Sequence, residues 1–309
     1  MSRPERAPAL CGAMVLLMLS SPGCGGGEGA EGLSGLIELD GSSTVFPISQ
    51  AMAEEFQIAH GRAIRVSVGV SGTGGGFQRF CNGETDISNA SRPINESEAA
   101  ACAREGIAPL ELQIAWDGLT VVAHPTNDWV GCVTADELRR VWEPGSRLGR
   151  WSQIRPEWPD QELKLYGPDT DSGTFDYFTA AVVGEEGASR SDYTASADDN
   201  VLVAGVSGDP GALGYFGYAY FEENQNDLQA LEVDGGDGCV APSRQTILDG
   251  SYTPLARPMY IYVRRDALDR PEVRAFLGFY MDHAAALIPE TGYIPLAPAA
   301  YAEVRARID

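Results

Sequence analysis

Lysine is all but missing from this chain: Lys164 stands alone, so a Lys-bearing phosphate loop of the G-x-x-x-x-G-K type is excluded elsewhere. Histidine is scarce too. His60, His124 and His283 are scattered without ligand spacing and no C-x-x-C occurs, so neither a metal site nor any other cofactor is expected. There is no G-x-S-x-G elbow, and no histidine sits in a catalytic motif, which leaves only a triad assembled in space as a route to nucleophilic catalysis. Positive charge is short throughout, with 22 Lys and Arg against 44 Asp and Glu and a net charge of −22. Such a chain does not seek nucleic acid or an anionic membrane surface.

What is present begins with an export signal. Arg3 and Arg6 precede the apolar run Leu10–Leu19, which is well below the roughly 18 to 20 residues that span a bilayer and reads as the core of a signal peptide over residues 1–23. Cys24 then stands where bacterial lipoproteins are acylated, and the glycine-rich stretch 24–34 has the makeup of a flexible tether. A plain cleaved signal, with Ser21 and Pro22 in place of the preferred residues, is the alternative. Cleavage would take Arg3, Arg6 and Glu5, a net of +1, from −22 and leave −23. The folded part keeps Cys81, Cys102, Cys132 and Cys239, an even number that points to two disulfides in an exported protein. Three pairings are open, and closeness in sequence favours Cys81 with Cys102.

From Leu36 onward short apolar strands alternate with amphipathic helices. Leu36–Leu39, Ala63–Val70, Thr85–Ala90, Gly118–Ala123, Lys164–Tyr166, Ala212–Phe216 and Met259–Val263 read as strands. Pro47–Ala59 and Pro271–Leu287 read as helices, another helix starts near Phe77, and Asn95 with Glu98 and Thr134 with Glu137 are capping boxes. The alternation argues for an α/β protein with mostly parallel sheets. Hydrophobic residues make up 44% and charged ones 21%, enough for well-buried cores in two lobes or one large domain.

Four strand-to-helix junctions share one chemistry. Gly41–Pro47, Ser71–Phe77, Ser88–Pro93 and Asp169–Thr174 are crowded with Ser, Thr and Gly and fall where the N–H groups of a helix start point outward, a setting that suits an oxyanion. Each alone is an ordinary cap. The glycine run ending at Phe77 is no dinucleotide fingerprint, because Phe77 stands where the last glycine belongs. Asp198-Asp199 and Glu185-Glu186 read as solvated faces, whereas Asp169 and Asp171 bracket a hydroxyl-rich loop.

On the strength of Gly41-Ser42-Ser43-Thr44-Val45-Phe46-Pro47, Ser71-Gly72-Thr73-Gly74, Asn89-Ala90-Ser91-Arg92-Pro93, Ser172-Gly173-Thr174 and Pro254-Leu255-Ala256-Arg257-Pro258, the chain resembles the phosphate-binding proteins of bacterial phosphate ABC transporters. The resemblance implies a type II periplasmic-binding-protein fold, two α/β lobes on a hinge with ligand in the cleft, each lobe a mixed, mostly parallel sheet flanked by helices. Lobe 1 would be residues 35–122 plus 253–309 and lobe 2 residues 123–252, which places Cys81 with Cys102 in one lobe and Cys132 with Cys239 in the other. It further implies a non-enzymatic receptor, exported and lipid-anchored, monomeric, that binds inorganic phosphate and hands it to an ABC permease. Ser43, Thr44, Val45, Ser71, Thr73, Ser91, Ser172, Gly173 and Thr174 would supply donors. Two departures stand out: Ser91 replaces an Asp found in many members, and Pro168 replaces an Arg. Asp171 or Asp169 would then be the selective acid, and Arg92 or Arg190 the cation. A receptor for sulfate or molybdate, a lipid-anchored phosphate sensor and a secreted hydrolase are the other readings.

Overall fold

The computed structural model describes residues 33–170 and 172–308; the export segment, Cys24, most of the tether and Asp171 lie outside them. The described chain runs β1 (Gly35–Gly41), α1 (Phe46–Ala59), β2 (Ile64–Val68), α2 (Gly72–Cys81), β3 (Ile87–Ala90), α3 (Glu96–Arg104) and β4 (Pro109–Ala123). It continues through β5 (Cys132–Thr134), α4 (Ala135–Trp142), β6 (Lys164–Pro168), α5 (Gly173–Phe178), β7 (Thr194–Ser196), α6 (Asp199–Gly208), β8 (Ala212–Gly217) and α7 (Tyr218–Glu223). The last part comprises β9 (Gln229–Ala230), β10 (Glu232–Asp234), β11 (Cys239–Val240), α8 (Arg244–Leu248), β12 (Ala256–Arg264), α9 (Pro271–Glu290), β13 (Ile294–Pro295) and α10 (Pro298–Arg305). Both capping boxes form as read: Asn95 accepts from the Glu98 N–H and Thr134 from the Glu137 N–H, with each glutamate answering the cap's own N–H.

The main sheet has the order β2-β1-β3-β12-β4-β8-β6-β7. Pairing is parallel on both flanks, where helices return the chain between neighbours, as in β1 with β2 and β3 and in β6 with β7 and β8. In the middle it is antiparallel, because β12 arrives late in the chain and inserts between β3 and β4. The sheet is therefore mixed, and the parallel expectation holds for its flanks. β4 is also longer than its apolar core suggested: Pro109–Gly118 pairs with β12 while Leu119–Ala123 pairs with β8, so one strand belongs to both halves of the molecule. A small sheet, β11-β10-β5, lies beside the second half.

Each half has its own core. In the first, Ile37, Ile48, Phe56, Met259 and Phe276 are buried together, with the Phe56 ring edge-on to Phe276 and Phe279 so that α1 lies on α9. In the second, Trp142, Trp151, Phe178 and Tyr215 are buried together, with Phe178 stacked on Tyr215 at 3.7 Å. The disulfides Cys81–Cys102 and Cys132–Cys239 are both formed, the first in the first half and the second tying the small sheet.

The glycine run Gly72–Gly76, read as a loop before a helix at Phe77, is itself the first turn of α2. Gly72 takes a positive φ of 74° with open space around it, whereas Gly76 serves close packing. A Cβ on Gly76 would lie 2.5 Å from Gly41 Cα and 2.9 Å from Ser88 Oγ, so only glycine lets α2 settle on β1 and β3. No helix among the described residues is long and apolar enough to cross a membrane.

Candidate functional site

The hydroxyl-rich junctions sit at the ends of β1, β2, β3 and β6, and two of them meet across the halves. The β1–α1 junction of the first half meets the start of α5 in the second: Thr44 Oγ1 donates to the Gly173 carbonyl at 3.3 Å and Ser43 Oγ to Asp176 at 3.2 Å. The approach is close enough that a Cβ on Gly173 would stand 2.6 Å from Thr44 Oγ1 and 2.8 Å from its Cα and N. Ser172 caps α5 by accepting from the Thr174 N–H at 3.2 Å.

Arg257 lies at this contact. It is opposite Asp117 in the β12–β4 ladder, and its Nε and Nη2 both reach Asp117 Oδ2 at 3.2 Å. Nη2 also donates to Thr44 Oγ1 at 2.8 Å and to the Gly173 carbonyl at 3.4 Å, while the guanidinium carbon lies 3.7 Å from the centroid of the Tyr177 ring. The Tyr177 hydroxyl in turn donates to the Pro254 carbonyl at 2.7 Å. One guanidinium thus joins both halves through hydrogen bonds and a cation–π contact. Its side chain is 15% exposed, against 2% for Asp117.

A cavity opens on either side of this contact. One, of about 410 Å³, has Ser43, Ser172 and Thr174 in its wall together with three carboxylates, Asp117, Asp169 and Asp199. The other, of about 560 Å³, is lined by Ser71, Thr73 and Ser91 with Arg92 and Arg257, and Glu186 is its carboxylate. Burial pushes the Asp117 carboxyl above its usual range against the pull of Arg257, and it raises Asp199 to about 6, opposed by the Gly217 N–H and helped by Asp198 and Asp117. Asp176 is raised by burial as well, with the Ser43 hydrogen bond and Arg257 pulling it down.

The residues read from the sequence are thus divided between two cavities. Ser71 lines the second, but its hydroxyl proton is committed to Asp40, a buried acid that also pairs with Arg79. Thr73 and Ser91 face each other at 3.1 Å, and the Ser91 N–H donates to Thr73 Oγ1. Val45 is fully buried and its N–H turns back to Ser42 Oγ at 3.4 Å. Arg92 lines the cavity while holding Glu98 in a two-pronged pair at 2.8 and 2.9 Å.

Arg190 must be corrected. It is buried inside the second half, where Asp192 and the carbonyls of Val141 and Leu148 take its donors; it is a structural cation and lines neither cavity. Asp171 lies outside the described residues, and Asp169 is in the acid-walled cavity. Asp199, read as part of a solvated acidic pair, faces that cavity too. In the sequence Arg257 belongs to the Pro254–Pro258 motif and is not among the expected site residues. The signal that finds it is its place opposite Asp117, which only the strand register supplies.

Two α/β halves around separate cores, sharing the strand β4 and facing each other through hydroxyl-bearing loops, define a two-lobed receptor of the type II periplasmic-binding-protein fold. A PBP superfamily domain model matches residues 26–283. Protein SphX of Synechocystis sp. is 47% identical over 93% of this chain and 85% of its own, and the phosphate-binding protein PstS of Staphylococcus saprophyticus is 37% identical over 93% and 89%. The crystal structure of a possible phosphate binding protein from Planctomyces limnophilus covers 90% of this chain and 98% of its own, with 47% identity and a TM-score of 0.86. The chain belongs to the PBP superfamily and, within it, to the family of substrate-binding proteins of phosphate ABC transporters.

Proposed function

We propose that this protein captures inorganic phosphate between its lobes and delivers it to an ABC permease, without transforming it. The observation that carries the reading is the meeting of the β1–α1 loop with the start of α5, beside a cavity walled by Ser71, Thr73, Ser91 and two arginines. Hydroxyls and helix-start N–H groups bind an anion without a counterion of their own, which matters in a chain of net charge −22. The family membership supplies the ligand class and the permease as partner.

The lobe boundary falls, in our reading, where β4 changes partners and β12 begins, at Gly118–Leu119 and Leu255–Ala256. This is a few residues inside the 122 and 253 expected from sequence. Ligand would favour the arrangement in which Thr44 and Gly173 touch, and the closed form would be the one the permease accepts. Export through residues 1–23, a lipid anchor at Cys24 and a monomeric state complete the proposal.

Isothermal titration of the mature chain with phosphate and with sulfate tests it. Saturable phosphate binding with sulfate at least about a hundredfold weaker is the expected result, since a hydrogen-bonding site separates ligands that differ by a proton through the groups left unpaired. Equal or tighter sulfate binding would replace phosphate with another oxyanion.

A further inference from the structure

We propose that Arg257 is the cation that the bound anion meets, and that Asp117 sets how much of its charge the anion feels. This rests on the phosphate reading above. Every other cation near the four junctions is engaged by carboxylate or carbonyl groups of its own lobe: Arg92 by Glu98, Arg79 by Asp40 and Glu84, Arg190 by Asp192 and two carbonyls. Arg257 differs in that its bonds go to both lobes. Its Nη1 also donates to no acceptor among the described residues, and the side chain lines the hydroxyl-walled cavity. A guanidinium held rigid by Tyr177 and Thr44, with one nitrogen left over, is a prepared donor for an oxyanion.

Asp117 holds that guanidinium through a single oxygen, Oδ2, and is buried on the far side of it from the hydroxyl-walled cavity, in the wall of the other one. The pair is neutral as a unit. An anion approaching from the Arg257 side is nearer the positive member, whereas one approaching from the Asp117 side meets that carboxylate together with Asp169 and Asp199. The buried pair therefore has a direction, which admits an anion on one face and turns it away on the other.

The test is a mutant cycle on the full mature chain, read by phosphate titration alongside thermal unfolding of the ligand-free protein. R257Q alone leaves Asp117 buried without a partner and is expected to lose stability. The double variant R257Q/D117N removes both charges, restores the net local charge of the wild type and keeps the hinge folded. If Arg257 faces the anion, the double variant unfolds at a temperature near that of the wild type yet binds phosphate at least about tenfold more weakly, the worth of one charge-assisted hydrogen bond. D117N alone is expected to bind several-fold more tightly. Wild-type affinity in the double variant would show that Arg257 serves only to neutralise Asp117 and would overturn the proposal. A wild-type chain that takes no phosphate would remove the functional reading as well, so the two failures are told apart by the first titration.

Discussion

The two cavities beside the Thr44–Gly173 contact are built from the same kind of loop and differ in charge. Both have Ser and Thr at helix starts, but one adds Asp117, Asp169 and Asp199 and the other adds Arg92 and Arg257. Hydroxyls are indifferent to the sign of what they bind, since each can donate or accept. The fixed charges decide, and they decide oppositely a few residues apart. A chain that is strongly anionic as a whole can thus present one locally favourable face to an anion, because buried charge is screened far less than charge at the surface.

The contrast can be broken most severely at the contact itself. Gly173→Ala puts a methyl group against the backbone of Thr44, where neither partner is a flexible side chain. The lobes then cannot meet as they do here, and phosphate affinity is expected to fall at least about a hundredfold while unfolding of the ligand-free chain changes little. Retained affinity in calorimetry would mean that the Thr44–Gly173 approach is not part of the bound state.

A milder probe compares the cavities directly. Thr73→Val removes a hydroxyl from the arginine side and Thr174→Val removes one from the acid side, each at nearly constant volume. The first is expected to weaken phosphate binding about tenfold and the second less than about threefold, in line with the usual worth of a hydrogen bond to a charged group. The reverse order, in the same titration, would move the anion to the other cavity.

The smallest effect concerns the acid side alone. Asp199 titrates near 6 in the folded protein against an ordinary 3.8 because burial disfavours its charge. The folded state thus holds this proton to higher pH than the unfolded state does. The stability linked to it is present in full below 3.8 and is lost as pH rises through 6. Asp199→Asn should therefore leave thermal unfolding nearly unchanged at pH 3 and raise stability at pH 7.5 by about 1 kcal/mol, allowing for water in the cavity. Differential scanning at the two pH values checks the sign.

Local chemistry was legible in the sequence and long-range company was not. The capping boxes at Asn95 and Thr134 need only residues three apart, and the helix from Pro271 needs only its own periodicity, so all three form as read. Gly76 is harder to read, because a glycine that permits packing looks the same in sequence as one that permits a turn, as Gly72 does; Gly41 and Ser88, against which Gly76 packs, lie elsewhere in the chain. Arg190 and Arg257 made the same demand on a larger scale. Each is an arginine among small and polar residues, but Arg190 finds Asp192 two positions away and Arg257 finds Asp117 across 140. Nothing local distinguishes a cation that is satisfied at home from one shared between lobes. The Asp198-Asp199 pair shows the limit at single-residue scale, since Asp198 caps the helix in solvent while its neighbour turns into the cavity.

β4 carries a consequence of a different kind. Its first ten residues complete the ladder of one lobe and its last five that of the other, so the backbone amides of a single strand are spoken for on both sides of the hinge. Loss of order in either lobe would strip hydrogen bonds from a strand the other depends on. The two cores therefore share one fate: the molecule can flex at the joint, but it has no cheap way to keep one half folded while the other comes apart.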